Sequence, residues 1–223
     1  VIFQVVTLFP ERYHDYVKTG LPQKALRKGL FQIVPVHLRD FADPGRGGRV
    51  DDVPYGGGPG MLVEVGPIDR ALKSLPQKFP AILFTPRGKV LNQSMVQRYA
   101  TYPGLTLVSG YYEGVDERVA EHLVDECVSL GDFVLGSGDL AALCCIEAVS
   151  RILPGYMGSA ESGVEESSGP DGLLEYPQYT RPRVYGEWSV PEVLLSGDHG
   201  RIRQWRREQQ ELITRERNYH ERR

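Results

Sequence analysis

Short apolar, β-rich runs alternate with helix-patterned segments through the first 155 residues, and this alternation narrows the possible folds more than any other feature. Ile2–Leu8, Phe31–Leu38, Ala81–Phe84, Leu105–Val108 and Val128–Leu135 read as strands. Between them lie a helix opening at Pro10-Glu11, where proline suits the first position, and helical patterns over Pro67–Leu75, Leu91–Tyr99 and Asp116–Leu123. Leu140–Leu153 is the strongest helix: Leu140, Leu143, Cys144, Val149 and Ile152 keep helical spacing until Pro154-Gly155 stops it. Strands alternating with helices predict an α/β fold with a mostly parallel sheet.

Two stretches break the rhythm. Asp40–Gly60 and Gly155–Gly172 are rich in glycine and charged residues and too long for plain connections, which marks them as functional or mobile loops. After Pro191 a helix of different character begins. Ile202, Trp205, Gln209, Leu212 and Ile213 share one face, with Arg201, Arg203, Arg206 and Arg207 around the others. The expected division is an α/β domain over residues 1–158, an interdomain loop over 159–178 and a small helical domain over 179–223.

Charge is unevenly spread. From His199 to Arg223 eight arginines face four glutamates, a balance of +4, which leaves −7 on the rest of a chain whose net charge is −3. An acidic body with a basic end suits contact with an anion, nucleic acid foremost; a solvated helix of mixed charge is the simpler alternative. Three cysteines, two of them adjacent, give no disulfide framework and fit a reducing, cytoplasmic setting. No zinc spacing is present and no metal ligands are expected. No run approaches ~20 apolar residues, so no membrane helix is expected. Val1–Phe9 lacks a basic lead-in and reads as a first strand rather than a signal peptide.

Three segments can carry chemistry. Val50–Gly60 contains Asp51, Asp52, Tyr55 and the consecutive Gly56, Gly57 and Gly58, which permit close backbone approach to a ligand; the acids can accept hydrogen bonds from a base edge. Val108–Arg118 follows a strand and precedes a helix, with Gly110 at the strand end and Glu113 in the turn; taken alone it reads first as a glycine-punctuated turn with solvated acids. In Leu130–Ala141 a strand runs into Gly136, Gly138 and Ala141, a G-x-G-x-x-A variant of the dinucleotide fingerprint. That leaves nicotinamide binding open, although the motif lies past mid-chain and no acid follows it at a second strand end.

Taken together the motifs resemble the bacterial tRNA (guanine-N1)-methyltransferases that act beside the anticodon, the TrmD family of SPOUT-type enzymes. The carrying blocks are Leu8-Phe9-Pro10, Val50-Asp51-Asp52 with Pro54–Met61, Tyr112–Val119, Val149-Ser150-Arg151, Tyr179–Pro182 and Pro191–Gly197, in family order along nearly the whole chain. The resemblance implies a C-terminal trefoil knot in the first domain, a homodimer with shared active sites, and S-adenosylmethionine as donor with magnesium assisting. Gly110 and the run Leu130, Gly131, Asp132, Phe133, Val134 and Leu135 match donor-binding positions, with Pro86 and Gly138 on flanking loops and Glu113 beside them. Asp51, Tyr55, Gly56, Gly57, Gly58, Arg206 and Arg207 are the expected contacts to a tRNA carrying guanine at position 37. Arg151 matches the cation that stabilises O6 of the guanine, and Glu166 falls on the family's aspartate base, with Asp171 as the next carboxylate.

Overall fold

Parallel pairing builds the sheet. The computed structural model describes residues 1–157 and 172–221, with side chains as far as residue 217. The chain divides into two compact units, Val1–Gly158 and Ser159–Arg223. In the first, β1 (Ile2–Thr7), α1 (Glu11–Tyr16), α2 (Gly20–Arg27) and β2 (Gln32–His37) are followed by two short strands, β3 (Asp51–Asp52) and β4 (Leu62–Val63). Then come α3 (Val65–Ser74), β5 (Ala81–Val90), α4 (Gln93–Ala100), β6 (Gly104–Ser109), α5 (Glu117–His122), β7 (Glu126–Ser129) and α6 (Asp139–Arg151). The large sheet has the order β2-β1-β6-β5-β7, and each neighbouring pair runs parallel.

Side chains alternate across a strand, so each strand feeds two cores. Phe3 and Val5 of β1, Ile82 and Phe84 of β5, and Leu105 and Leu107 of β6 pack on one face with Ala142, Cys145, Ile146 and Val149 of α6. Val6, Leu83 and Val108 turn to the other face, against Ile68 and Ala71 of α3 and Val119 of α5. Each fully buried aliphatic side chain contributes about 1.5–3 kcal/mol. Burial from both sides explains why these strands read as continuous apolar runs.

The structure departs from the sequence expectations in four places. The run Val128–Leu135 is not one strand: β7 ends at Ser129, and Leu130–Leu135 leaves the sheet. Gly131, at φ +155°, makes the exit; its amide donates to Ser129 Oγ (3.1 Å), which donates back to Gly131 O (3.0 Å). The helix from Pro10 is two, α1 and α2. The third helix of the sequence reading starts late, at Gln93, because Asn92 caps it by accepting from Met95 N (3.1 Å). The Asp40–Gly60 loop is in part ordered: β3 pairs antiparallel with β4, and Arg46 ties its base through Asp51 O (3.2 Å), Asp52 Oδ2 (3.4 Å) and Glu64.

One irregularity positions the site. Phe84 and Lys89 of β5 both lie opposite Val128 of β7, so Thr85, Pro86, Arg87 and Gly88 are extruded between them. Gly88 makes the return possible: a Cβ there would come within 2.5 Å of the Cys127 carbonyl carbon.

In the second unit β8 (Val184–Tyr185) and β9 (Trp188–Ser189) form a hairpin, followed by α7 (Glu192–Leu195) and α8 (His199–Glu221). Asp198 caps α8 by accepting from Gly200 N (2.9 Å) and Arg201 N (3.1 Å). Leu174 N donates to Thr214 Oγ1 (2.8 Å), and the Tyr179 and Trp205 rings meet at 6.5 Å. Among the described residues no helix is long and apolar enough to cross a membrane.

Candidate active site

In open α/β sheets, ligands bind outside the carboxyl ends of the strands. Here β5, β6 and β7, which are adjacent, end around one cleft of about 550 Å³, a size suited to a cofactor or drug-sized ligand. Its walls are the extruded loop of β5, the turn Gly110–Val115 after β6, and the segment after β7 that leads into α6. The last two walls touch through backbone. Gly138 N donates to Gly110 O (2.9 Å), and a Cβ on Gly138 would lie 2.9 Å from Gly110 N and 3.0 Å from Ser109 Cα. Glycine at 138 is therefore demanded by packing.

The entrance to α6 is anchored from below. Asp139 is wholly buried at the first turn of the helix, where a negative charge is favoured. Its Oδ1 accepts from Thr7 Oγ1 and from the Tyr13 hydroxyl, each at 2.8 Å, and Tyr13 shares a further bond with Ser109 Oγ (3.1 Å). Arg12 Nη1 stands 3.4 Å from Oδ2. Burial first, and the Asp139 charge second, push ionisation of the Tyr13 hydroxyl well above the ordinary tyrosine range, so it remains a donor. Removing this acid takes the acceptor from the buried Thr7 hydroxyl and leaves Tyr13 with Ser109 alone. Asp139→Ala is expected to cost about 2–4 kcal/mol, measured by urea denaturation, with an unchanged midpoint counting against the anchor.

The turn after β6 carries local strain. Tyr112 adopts φ +58°, unusual for a residue with a side chain, and its hydroxyl reaches Asp51 Oδ1 at 3.5 Å. Glu113 packs on Gly60, where a Cβ would come within 2.5 Å of Glu113 Oε1. The glycine-rich loop is thus fitted against the cleft wall at its end. At its tip Tyr55 is fully exposed, and Gly56, Gly57 and Gly58 all have positive φ, a surface open to a partner. Asp52 is held below the usual carboxylate range, first by the amide of Val53; burial opposes this, and the charges of Arg46 and Arg49 add to the lowering.

Of the donor positions taken from the sequence, Pro86, Gly110, Glu113, Leu130, Phe133, Val134, Leu135 and Gly138 line the cleft; Gly131 and Asp132 do not. Sequence alone does not single out Arg87 and Glu117 as wall residues. The one signal for Arg87 is its place in Thr85-Pro86-Arg87-Gly88, a proline-glycine punctuation directly after an apolar run. Gly136 and Gly138 do lead into a helix, but after the edge strand β7 rather than the first strand.

Arg151 closes the other end of α6, half-buried, with Nη1 3.5 Å from Met157 Sδ, and is not part of the cleft wall. It stands twelve positions beyond Asp139, about 18 Å along the helix. Glu166 and Asp171 lie outside the described residues. Arg206 stacks on the Tyr176 ring at 4.5 Å and Arg207 pairs with Glu211 at 3.0 Å. No group of three or more His, Cys, Asp or Glu among the described residues is disposed to hold a metal.

The family model described as tRNA (Guanine-1)-methyltransferase TrmD matches residues 1–221. The chain belongs to this family. A tRNA (guanine-N(1)-)-methyltransferase of Microcystis aeruginosa is 49% identical over 219 residues, 96% of this chain and 94% of that protein. One of Oleidesulfovibrio alaskensis is 48% identical over 93% of this chain, which spans about half, 48%, of that relative's length. Among solved structures, the crystal structure of tRNA (m1G37) methyltransferase from Aquifex aeolicus aligns with a TM-score of 0.79 at 38% identity, covering 98% of this chain and 93% of that one. Membership of the family agrees with the parallel sheet and with the motif order read from the sequence.

Proposed function

We propose that this chain methylates N1 of the guanine beside the anticodon, position 37, in tRNA, with S-adenosylmethionine as donor. The observation that carries the reading is the cleft at the ends of β5, β6 and β7 in a chain of this family. Its walls suit the donor: apolar Leu62, Leu83, Val115 and Leu135 can enclose an adenosine, and the backbone of Gly138 approaches Gly110 too closely for a Cβ on Gly138. The Tyr111 hydroxyl, on the same wall, is buried without a hydrogen-bond partner and can take one from a ligand.

The donor supplies an electrophilic methyl on a sulfonium. The protein's part is proton and charge management. Guanine N1 carries a proton and is a poor nucleophile, so Glu166 takes that proton as N1 attacks. Arg151 meets the negative charge that develops on O6. The separation of Arg151 from the cleft on its own α6 supports a homodimer in which each site takes its donor cleft from one protomer and Arg151 from the other. We include in this reading the trefoil knot in the C-terminal part of the first unit, supported by the close passage of Gly138 against Gly110, and magnesium as an aid bound in the presence of tRNA. The second unit, as a small tRNA-binding domain, grips phosphates through the arginines of α8, and the glycine-rich loop with Asp51 and Tyr55 meets the anticodon arm. Three free cysteines suit a cytoplasmic enzyme.

A methyl-transfer assay on unmodified tRNA tests the whole. Label should enter transcripts with guanine beside the anticodon and not those with another base there; equal labelling of both, or none, overturns the reading. Replacing Arg206 and Arg207 together by alanine is expected to weaken tRNA binding and to lower the slope of log K against log salt by between one and two. A slope like the parent's, measured by filter binding, would assign the grip to the exposed Arg201 and Arg203.

A further inference from the structure

The cleft wall has an uneven charge inventory. Among the described residues that line it, Arg87 is the one cation, and Glu113 and Glu117 are the carboxylates. Arg87 rides on the four residues extruded from β5, and Glu117 is the first residue of α5, so the two come from separate walls. They form an ion pair through Arg87 Nη2 and Glu117 Oε2. Both are well exposed, at 71% and 51%, so the pair is accessible at the rim rather than locked in the core. An exposed pair of this kind adds little to stability. The backbone beneath Arg87 is nevertheless built with care: Gly88 presses on the β7 backbone where no side chain fits, and this fixes how far the loop projects.

We infer that Arg87 and Glu117 together receive the α-amino acid end of the methyl donor, Arg87 binding its carboxylate and Glu117 its ammonium. A guanidinium has five N–H donors in a rigid fork. Engaging one of its nitrogens with Glu117 leaves others for a carboxylate, and the second oxygen of Glu117 is available to an ammonium. A zwitterion thus inserts into an existing ion pair without leaving either charge unmatched. The adenosine half of the donor has no such charges and depends instead on the apolar and backbone walls. Arg87 is accordingly a positioning group for the sulfonium: by holding the amino acid end it fixes where the methyl points. This assignment rests on the methyl-donor reading of the cleft.

The test compares two ligands by isothermal titration calorimetry with the full chain. S-adenosylhomocysteine carries the α-amino acid; 5′-methylthioadenosine lacks it and keeps the adenosine and the thioether. Arg87→Gln is expected to weaken S-adenosylhomocysteine by about 10- to 100-fold and to leave methylthioadenosine within twofold. Arg87→Lys, which keeps the charge but not the fork, should retain part of the loss. Equal weakening of both ligands in Arg87→Gln would make the residue a structural support of the loop and overturn the assignment, as would unchanged binding of both. A wild-type chain that binds neither ligand would instead overturn the methyl-donor reading itself, and the assignment with it.

Discussion

Arg151→Ala is expected to slow methyl transfer at saturating donor and tRNA by about 10²- to 10³-fold while the donor Kd stays within twofold. The reasoning is local. Deprotonated guanine spreads its charge onto O6, and a cation there is worth most in the transition state, where that charge is greatest. Arg151 lies at the end of α6 away from the cleft, so its loss leaves the donor walls untouched. Single-turnover kinetics beside donor calorimetry separate the two effects. A change confined to donor affinity would remove Arg151 from the chemistry. Glu166→Gln should behave alike, with a loss of about 10²- to 10⁴-fold for a missing general base. Full turnover in that variant would move the base to Asp171.

Gly138→Ala should act in the opposite way, abolishing measurable donor binding. The added Cβ would lie 2.9 Å from Gly110 N and 3.0 Å from Ser109 Cα, and both are backbone atoms that side-chain rotation cannot relieve. The entrance to α6 must then shift away from β6 and carry the Leu130–Gly138 wall with it. Overpacking of this kind costs about 1–3 kcal/mol in stability, so the variant should fold with a lowered Tm and fail in calorimetry. Wild-type donor affinity would show that the walls can part without harm. Mixing this variant with Arg151→Ala adds a stringent check of the shared site. If one protomer supplies the cleft and the other the arginine, exchanged subunits regain one intact site per dimer, and two inactive preparations become active together. Persistent inactivity after proven subunit exchange would place both groups in one protomer.

Much of this architecture was readable from residue pattern because the strands are buried on both faces. Ile2–Leu8 and Leu105–Val108 are mostly apolar, with the polar Gln4, Thr7 and Thr106 buried among them, as suits a parallel sheet covered on two sides. The same rule misled at Val128–Leu135. Leu130, Val134 and Leu135 are apolar because they wall a cleft, not because they extend β7, and periodicity does not distinguish the two. Glycines at strand ends pointed to Gly110 and Gly138, since close backbone approach leaves a mark in composition. Arg87 and Glu117 left no comparable mark. They are ordinary charged residues, thirty positions apart, and they meet because β5 throws out four residues at a register jump that no local pattern encodes. Tyr13 and Asp139 were hidden for a similar reason: a buried acid becomes intelligible only with its hydroxyl donors beside it, and those come from β1 and α1.

The bond between Thr7 and Asp139 spans 132 positions of the chain. A ribosome adding ~5–20 residues per second needs on the order of ten seconds to deliver the second partner after the first. Through most of that interval β1 lacks its neighbour β6, and throughout it lacks the helix α6 that covers it. The nascent polypeptide thus presents an apolar strand early and receives the acid that locks it late, and in that interval the unpaired strand is open to misassociation.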